Sequence, residues 1–297
     1  MKKWIIAARL KTLPLALSGP LMAAGIAILS EYSIHYGLVI LTLLVALLLQ
    51  ILSNFANDLG DYQKGTDQKA DRNDRALTAG IISERQMKWA IAYLILFTLL
   101  IGIYLIIIFN PTIMEAATLF TTGCIAIIAA IAYTMGKKAY GYLGLGDIFV
   151  FIFFGLVSVL FSYYIFTHVI DLIIIIAATI MGFLACAVLH INNMRDIDSD
   201  LKNNKKTLAN AFGYKKSRQY QILILGLASI GICILMVNFN MLILSLNLIL
   251  FIPIAHLFLN LERQDKAGFN QQLKWVSLQT FAIGLFTFLT ALIQTQL

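Results

Sequence analysis

The chain has 297 residues, of which 60% are hydrophobic and only 12% are charged. Soluble domains carry about 25% charged residues, so this composition excludes an ordinary soluble protein. The formal net charge is +7. Because no basic module with interleaved aromatic residues accompanies that charge, we expect no nucleic-acid partner. The long apolar runs predict an all-α polytopic membrane protein embedded in the lipid bilayer.

Nine apolar windows along the chain are long enough to cross a bilayer. They cover residues 12–30, 37–57, 89–109, 114–134, 145–165, 169–190, 219–237, 241–261 and 273–295. The polar stretches between the windows are too short to form a soluble domain. We therefore expect a single membrane domain over residues 1–297.

The positive charges predict the orientation of these spans. All 22 Lys and Arg residues lie before the first window, in the connections after windows two, four, six and eight, or at the start of window nine. Cytoplasmic loops are enriched in Lys and Arg. The N-terminus and these loops are therefore expected in the cytoplasm, and the C-terminus on the opposite side.

The first acidic segment, NFANDLGDYQKGTDQKADRNDRALTAG, runs from Asn54 to Gly80 and begins at the end of window two. Asn54, Asp58 and Asp61 are spaced i, i+4 and i+7, which places them on one face of a helix. Negative charge is disfavoured at a helix C-terminus because of the helix dipole. The placement of these acids therefore indicates that they serve a bound cation.

The second acidic segment, HINNMRDIDSDLKNNKKTLANAFG, runs from His190 to Gly213 at the end of window six. Asn192, Asp196 and Asp200 are spaced i, i+4 and i+8, which predicts one face of a continuous helix. In both segments an Asn lies one turn before the first Asp, and a basic loop follows. The two segments thus resemble the halves of a weak internal repeat, which would place the functional site between them.

Paired carboxylates on facing helices suit a hard divalent cation. Mg²⁺ is bound by one or two carboxylates, with waters and substrate phosphates as the other ligands. Two facing segments would hold two Mg²⁺ ions and a diphosphate, with neighbouring Lys and Arg residues neutralising the remaining phosphate charge. The alternative is a charged loop that is merely solvated.

A third polar element lies at the end of window four. Tyr133 and Lys137 are four residues apart and share a helix face. They are expected either to bind a phosphate oxygen or to anchor the helix at the membrane interface.

These motifs, in this order, resemble the UbiA superfamily of intramembrane aromatic prenyltransferases. The family pattern N-D-x-x-D falls on Asn57, Asp58 and Asp61, and D-x-x-x-D falls on Asp196 and Asp200. The third acid of the first motif is Asp67, which gives the longer spacing D-x-x-D-x5-D typical of the branch that prenylates naphthoate. The strings ARLKTLP, NNMRDIDSDLKNNKKTLA and GLGDIFVFIFFGLVSVLFSYY are also similar to that branch.

The resemblance implies nine transmembrane helices around a central cavity, with a cytoplasmic cap formed by the loops after helices 2 and 6. It implies transfer of a polyprenyl group from polyprenyl diphosphate to 1,4-dihydroxy-2-naphthoate, with loss of diphosphate and CO₂, in menaquinone biosynthesis. The expected cofactor is Mg²⁺, with two ions, and the expected location is the bacterial inner membrane. The oligomeric state is left open.

The site residues follow from the motifs and the resemblance together. The expected metal ligands are Asp58, Asp61, Asp67, Asp196 and Asp200, all but Asp67 also being assigned as catalytic. The expected diphosphate-binding residues are Arg72, Lys137, Lys202 and Tyr133. The expected contacts to the aromatic substrate are Asn54, Asn192, Asn193, Arg9 and Lys11.

Some of these assignments have alternatives. Arg9 and Lys11 either attract the substrate carboxylate or only set the membrane topology. His190 is a base or a structural residue, and Asp147 is a helix N-cap or a substrate contact. Other aromatic acceptors, namely 4-hydroxybenzoate and homogentisate, remain open. A membrane transporter is less favoured, because its acids would lie near the bilayer midplane rather than at one edge.

Overall fold

The computed structural model describes residues 2–66, 75–136, 138–239 and 265–295, and the fold of these residues is all-α. The helices are α1 Lys2–Ala8, α2 Leu13–Leu29, α3 Tyr36–Gln63, α4 Glu84–Phe109, α5 Ile113–Ala132, α6 Gly146–Thr167, α7 Leu172–Arg195, α8 Ile197–Lys202, α9 Leu208–Phe239 and α10 Lys266–Gln294. A short 3₁₀ turn at Leu10–Thr12 joins α1 to α2, and a second one at Tyr140–Tyr142 lies between α5 and α6.

Eight helical segments among the described residues are long and apolar enough to cross a membrane. They match eight of the nine predicted windows, and the window at 241–261 lies outside the described residues. The protein is therefore a multi-pass membrane protein. The ninth helix and the cap of loops stay predictions.

Several helices extend beyond the apolar windows that predicted them. α3 continues to Gln63, α7 continues to Arg195, and α9 begins at Leu208 and bends at Gly213, whose φ is 69°. Hydropathy detects only the part of a helix that contacts lipid, whereas backbone hydrogen bonding continues into polar sequence. The end of α3 that carries the first acids is therefore helical, as their spacing predicts.

Polar side chains satisfy the first turns of several spans. Ser83 and Gln86 form a reciprocal capping box at the start of α4, and Thr112 and Glu115 form one at the start of α5. Each box supplies acceptors for backbone N–H groups that have no partner within the helix. These pairs fix where the apolar helices begin.

The chain forms two compact units, whereas the single domain over residues 1–297 stays a prediction. Unit 1 consists of Met1–Leu13, Leu44–Gly146 and Asp198–Thr207. Its apolar core joins α1, the second half of α3, the start of α4 and the segment just before it. The buried core residues are Ala7, Ala8, Leu52, Phe55, Leu59, Ala76, Leu77, Ile82, Met87, Ile91 and Ile127. This packing fixes the N-terminal segment and residues 76–82 beside the acidic end of α3.

Much of the surface of α4 is apolar and exposed. The exposed side chains include Trp89, Tyr93, Leu96, Phe97, Leu100, Ile103, Tyr104 and Ile107. Apolar area on this scale would be unfavourable in water, but it suits contact with lipid tails. α4 therefore presents this face of unit 1 to the bilayer.

Unit 2 consists of Pro14–Leu43, Asp147–Ile197 and Leu208–Leu297. α7 is its central helix and packs against α6, α9 and α10. Gly155 of α6 and Gly182 of α7 lie so close that a Cβ on Gly155 would overlap the backbone of α7. Small residues permit such close backbone approach between membrane helices. α6 is a π-helix over Phe151–Phe161, in the region of this contact.

Candidate active site

Asp58 lies at the end of α3 and is almost fully buried, with 1% of its surface exposed. It accepts hydrogen bonds from the backbone N–H groups of Ala76 and Leu77. Its Oδ1 atom has no hydrogen-bond partner among the described residues. Arg9 lies close enough for its positive charge to interact with the carboxylate. A buried carboxylate oxygen of this kind is suited to bind a cation, because burial without a partner is costly.

Asn54, one turn earlier on α3, attaches the N-terminal segment to the helix. Its side-chain amide donates to the carbonyl of Ala8 at 2.8 Å and to the hydroxyl of Thr12 at 3.0 Å. Its carbonyl oxygen accepts from Gln50 at 3.3 Å. The hydrogen bonds of Asn54 thus shape the turn that contains Arg9, whose φ of 49° is unusual for a residue other than glycine. These bonds give Asn54 a structural role, and its expected contact with the aromatic substrate stays a prediction.

Asp61 is held by a residue that the sequence did not single out. The hydroxyl of Tyr142 donates to Asp61 Oδ1 at 2.7 Å and lies 2.9 Å from the hydroxyl of Thr66. Because an ionised carboxylate only accepts, the single phenol proton goes to Asp61 and Thr66 donates to Tyr142. Tyr142 therefore joins the turn after α5 to the acidic end of α3.

Lys64 lies beside the same tyrosine. Its Nζ is 3.8 Å from the centroid of the Tyr142 ring and donates to the carbonyl of Thr134 at 2.7 Å. Partial burial of the ammonium lowers the pKa of Lys64, the charge of Asp61 opposes this change, and the charge of Lys205 adds a smaller lowering. The ammonium group is therefore influenced by both a carboxylate and a second lysine.

Part of the second acidic segment belongs to unit 1 and meets the first there. Asp200 is 4% exposed, and its Oδ1 is 3.4 Å from Nζ of Lys205. That Nζ lies 5.8 Å from the Tyr142 ring centroid. The backbone N–H of Lys206 donates to the carbonyl of Tyr142 at 3.2 Å. Asp61 and Asp200, which are distant in sequence, thus both belong to the network around Tyr142.

The prediction of one continuous helix for the second segment is wrong. α7 ends at Arg195, Asp196 has non-helical dihedral angles (φ −102°, ψ 8°), and α8 begins at Ile197. The helix breaks at Asp196, so Asn192, Asp196 and Asp200 do not share one helix face. Asp196 belongs to unit 2 and Asp200 to unit 1.

Asp196 is paired with its neighbour in sequence. Arg195 donates from Nε to Asp196 Oδ1 at 3.0 Å and from one terminal nitrogen to Oδ2 at 2.8 Å. The same guanidinium also donates to Asn192 at 2.6 Å and to Asn270 at 2.7 Å. Bidentate pairs of this type are strong, so Asp196 is neutralised by Arg195 in this structure.

His190 and Asp147 form a separate buried pair in unit 2. His190 is completely buried, and its Nδ1 is 3.8 Å from Asp147 Oδ1, which is beyond hydrogen-bond distance. The imidazole packs edge-on against Tyr220, with 4.7 Å between ring centroids. Neighbouring Asn193 is also buried, and its Oδ1 has no hydrogen-bond partner among the described residues.

The other predicted site residues lie outside the described residues, are exposed, or have an aromatic contact. Asp67, Arg72 and Lys137 lie outside the described residues. Lys11 and Lys202 are exposed. Tyr133 packs edge-on against Tyr140, with 5.3 Å between ring centroids.

The donor set of unit 1 fits a hard divalent cation. The described residues contain no group of three or more His, Cys, Asp or Glu side chains arranged to hold a metal. Mg²⁺ does not require such a group, because substrate phosphates and waters complete its octahedron. The unpartnered oxygen of Asp58, together with Asp61 and Asp200, supplies oxygen ligands of the type that Mg²⁺ prefers.

Known proteins resemble the chain in sequence. It is 44% identical over 232 residues to 1,4-dihydroxy-2-naphthoate octaprenyltransferase of Haemophilus influenzae, which covers 77% of this chain and 75% of the relative. The enzyme of the same name from Escherichia coli is 41% identical over 226 residues, covering 75% of this chain and 72% of the relative.

Solved structures share the fold. A UbiA homologue from Aeropyrum pernix superposes with a TM-score of 0.67 at 16% identity, covering 95% of this chain and 98% of the other. A UbiA homologue from Archaeoglobus fulgidus, bound to DMAPP and Mg²⁺, superposes with a TM-score of 0.61 at 15% identity, covering 96% and 99%. The model of the UbiA prenyltransferase family matches residues 18–278. The chain therefore belongs to the UbiA prenyltransferase family.

Proposed function

We propose that the protein transfers a polyprenyl group from polyprenyl diphosphate to 1,4-dihydroxy-2-naphthoate, with release of diphosphate and CO₂, in menaquinone biosynthesis. The observation that carries the proposal is the 44% identity to the Haemophilus influenzae enzyme over 77% of the chain. The geometry supports it, because unit 1 places buried carboxylates beside lysines at the end of an apolar helix.

The residues that would hold Mg²⁺ are Asp58, Asp61 and Asp200, with Asp67 and Asp196 as further ligands. When bound, Mg²⁺ would neutralise charge on the departing diphosphate. A relative of this fold binds Mg²⁺ together with a prenyl diphosphate, which supports this assignment. Two ions fit the number of acids, and Arg72, Lys137, Lys202 and Tyr133 complete the proposed diphosphate site.

The reaction breaks the allylic C–O bond, and its electron pair leaves with the diphosphate. The ring carbon that carries the carboxylate forms the new C–C bond. The bond to the carboxylate then breaks, CO₂ leaves, and the electron pair restores the aromatic ring. Because CO₂ leaves in place of a ring proton, this step needs no general base. The complete burial of His190 beside Tyr220 agrees with a structural role for that residue.

The aromatic substrate carries a carboxylate, and cations near the acidic site would orient it. We assign Arg9 and Lys11 to this role, with Asn192 and Asn193 as contacts to the ring hydroxyls. Asn54 contributes indirectly, because its bonds to Ala8 and Thr12 fix the turn that contains Arg9.

The family resemblance and the positions of Lys and Arg support a location in the bacterial inner membrane with cytoplasmic active-site loops. Reporter fusions after Lys138 and after Asn110 would test this orientation. The fusion after Lys138 should report the cytoplasm and the fusion after Asn110 the opposite side. The reverse pattern would overturn the orientation.

The function is tested with purified protein in lipid nanodiscs, labelled polyprenyl diphosphate and a panel of aromatic acceptors. We expect Mg²⁺-dependent incorporation into 1,4-dihydroxy-2-naphthoate with release of one CO₂ per transfer. Preferred transfer to 4-hydroxybenzoate or homogentisate, without CO₂ release, would refute the acceptor assignment. Ion flux in liposomes without any prenyl transfer would favour a transporter instead.

A further inference from the structure

Tyr142 receives polar contacts from two separate parts of unit 1. Its hydroxyl bonds to Asp61 in the last turn of α3 and to Thr66 just after that helix. Its carbonyl accepts from the backbone N–H of Lys206, in the segment after α8. Its ring lies near Nζ of Lys64 and Nζ of Lys205. A tyrosine that served only as packing would not need polar partners from each of these segments.

The two lysines bring positive charge to one place beside two carboxylates. Lys64 lies 3.8 Å and Lys205 lies 5.8 Å from the Tyr142 centroid, and an aromatic face attracts ammonium groups at such distances. The charges of Asp61 and Asp200 balance those of the two lysines. A divalent cation bound by Asp61 would therefore make the cluster positive, which suits an anion with several negative oxygens.

The two lysines have different polar partners. Lys64 donates to the carbonyl of Thr134 at 2.7 Å, and Thr134 in turn donates from its hydroxyl to the carbonyl of Ala56 at 3.1 Å. Lys205 is 3.4 Å from Asp200, a distance longer than that of a tight charged hydrogen bond. Lys64 thus keeps donor capacity for phosphate oxygens, because an ammonium group carries three N–H donors and one of them is used by Thr134.

We propose that Lys64 and Lys205 bind the diphosphate of the prenyl donor and that Tyr142 is the positioning residue that holds them beside Asp61 and Asp200. This proposal rests on the proposed function and deepens it. It adds two lysines to the diphosphate site proposed above. It also explains how the two acidic segments act together, since Tyr142 contacts residues from both.

The first test measures binding of inorganic diphosphate with Mg²⁺ to the full chain in nanodiscs by calorimetry. Lys64→Met and Lys205→Met should each weaken binding by about tenfold to a hundredfold, because each removes a charged hydrogen bond. Lys206→Met is the matched control, since its side chain is exposed and adjacent in sequence. It should bind diphosphate as the wild type does.

The second test separates positioning from a general structural effect at Tyr142. Tyr142→Phe keeps the ring but loses the hydroxyl, whereas Tyr142→Leu loses both. We expect KM for polyprenyl diphosphate to rise about threefold in Tyr142→Phe and at least about tenfold in Tyr142→Leu, while KM for the aromatic acceptor stays unchanged. A general loss of structure would instead raise both KM values and lower the unfolding temperature.

The results distinguish this proposal from the proposed function. If Lys64→Met and Lys205→Met bind Mg²⁺-diphosphate as tightly as wild type, the proposal is overturned, and naphthoate prenylation by the wild type would still stand. If the wild type prenylates no aromatic acceptor but binds diphosphate in a lysine-dependent manner, the proposal stands and the acceptor assignment fails. Should Tyr142→Leu fail to fold, the two lysine variants decide the assignment by themselves.

Discussion

The two acidic segments look alike in sequence but hold their carboxylates differently. In the first segment, the hydrogen bonds to Asp58 and Asp61 come from neutral donors, namely backbone N–H groups and the hydroxyl of Tyr142. In the second segment, Asp196 is paired with Arg195, and Asp200 lies beside Lys205. Arg9 and Lys64 also act on these two carboxylates through their charges, but no bidentate pair like that of Arg195 and Asp196 holds either of them. A cation paired in this bidentate way competes with a metal more strongly than a neutral donor does.

We propose that this difference makes the two segments unequal in their affinity for a metal ion. Asp58 would bind a cation directly through its unpartnered Oδ1, whereas Asp196 must first release Arg195. Release would also free a guanidinium, which is well suited to bidentate phosphate contact. We therefore propose the first segment as the primary metal site.

The largest expected effect is that of Asp58→Asn. The variant keeps the size of the side chain and removes its charge, so turnover with labelled polyprenyl diphosphate should fall by at least about a hundredfold. Asp196→Asn should cost less, because the wild-type carboxylate is already neutralised by Arg195. If both variants lose turnover equally, or if folded Asp58→Asn keeps near-normal turnover, the two segments do not differ as metal sites.

The next effect concerns the packing behind the first segment. A Cβ at Gly60 would lie 2.8 Å from the backbone of Thr134, the residue that accepts from Lys64. Gly60→Ala should therefore destabilise the protein by about 1–3 kcal/mol. Gly102→Ala is the control, because nothing lies within 4 Å of its Cβ, and it should leave stability unchanged or raise it by up to about 1 kcal/mol. Thermal unfolding in detergent measures both; equal stability of the two variants would contradict the close contact.

Asn54→Ala tests whether the first segment depends on the N-terminal turn. The substitution removes the bonds to Ala8 and Thr12 and should cost about 1–3 kcal/mol of stability, because it leaves a buried carbonyl unsatisfied. Gln63→Ala, which removes an exposed bond on the same helix, is the control and should cost less than about 0.5 kcal/mol. An unchanged unfolding temperature with a raised KM for the naphthoate would show that Asn54 contacts the substrate and does not stabilise the turn.

The smallest expected effect is that of Arg195→Gln. Loss of the competing guanidinium should raise the affinity for Mn²⁺, measured by electron paramagnetic resonance as a substitute for Mg²⁺, by about threefold to tenfold. When Asp196 is already replaced by Asn, Arg195→Gln should have no effect on metal affinity. The carboxylate for which Arg195 and the metal compete is then absent. An unchanged Mn²⁺ affinity in the single variant would show that Arg195 does not compete for the site.

The transmembrane architecture could be predicted from hydropathy, because each apolar window needs only its own sequence to be recognised. The helical face of Asn54, Asp58 and Asp61 could be predicted for the same reason, since their spacing is local. The helix break at Asp196 could not be predicted, because the spacing of Asn192, Asp196 and Asp200 is the same whether or not a helix ends among them. The pair of Arg195 and Asp196 at the end of α7 is seen only in the structure.

The role of Tyr142 depends on contacts between residues that are far apart in the sequence. Asp61 precedes Tyr142 by 81 positions, and no periodic pattern connects a turn after α5 with the end of α3. The string KKAYGYLGLG marks a turn through its glycines, and its tyrosines lie at a predicted membrane interface. That context indicates an anchoring residue, and only the fold shows which partners the hydroxyl and ring have.

We propose the first acidic segment as the primary site for the metal and the diphosphate. The most direct test is titration of the full chain with Mn²⁺ in the presence of inorganic diphosphate, comparing Asp58→Asn with Asp196→Asn. We expect Asp58→Asn to lower the Mn²⁺ affinity at least about tenfold and Asp196→Asn to lower it less. Wild-type affinity in Asp58→Asn, together with a larger loss in Asp196→Asn, would contradict it.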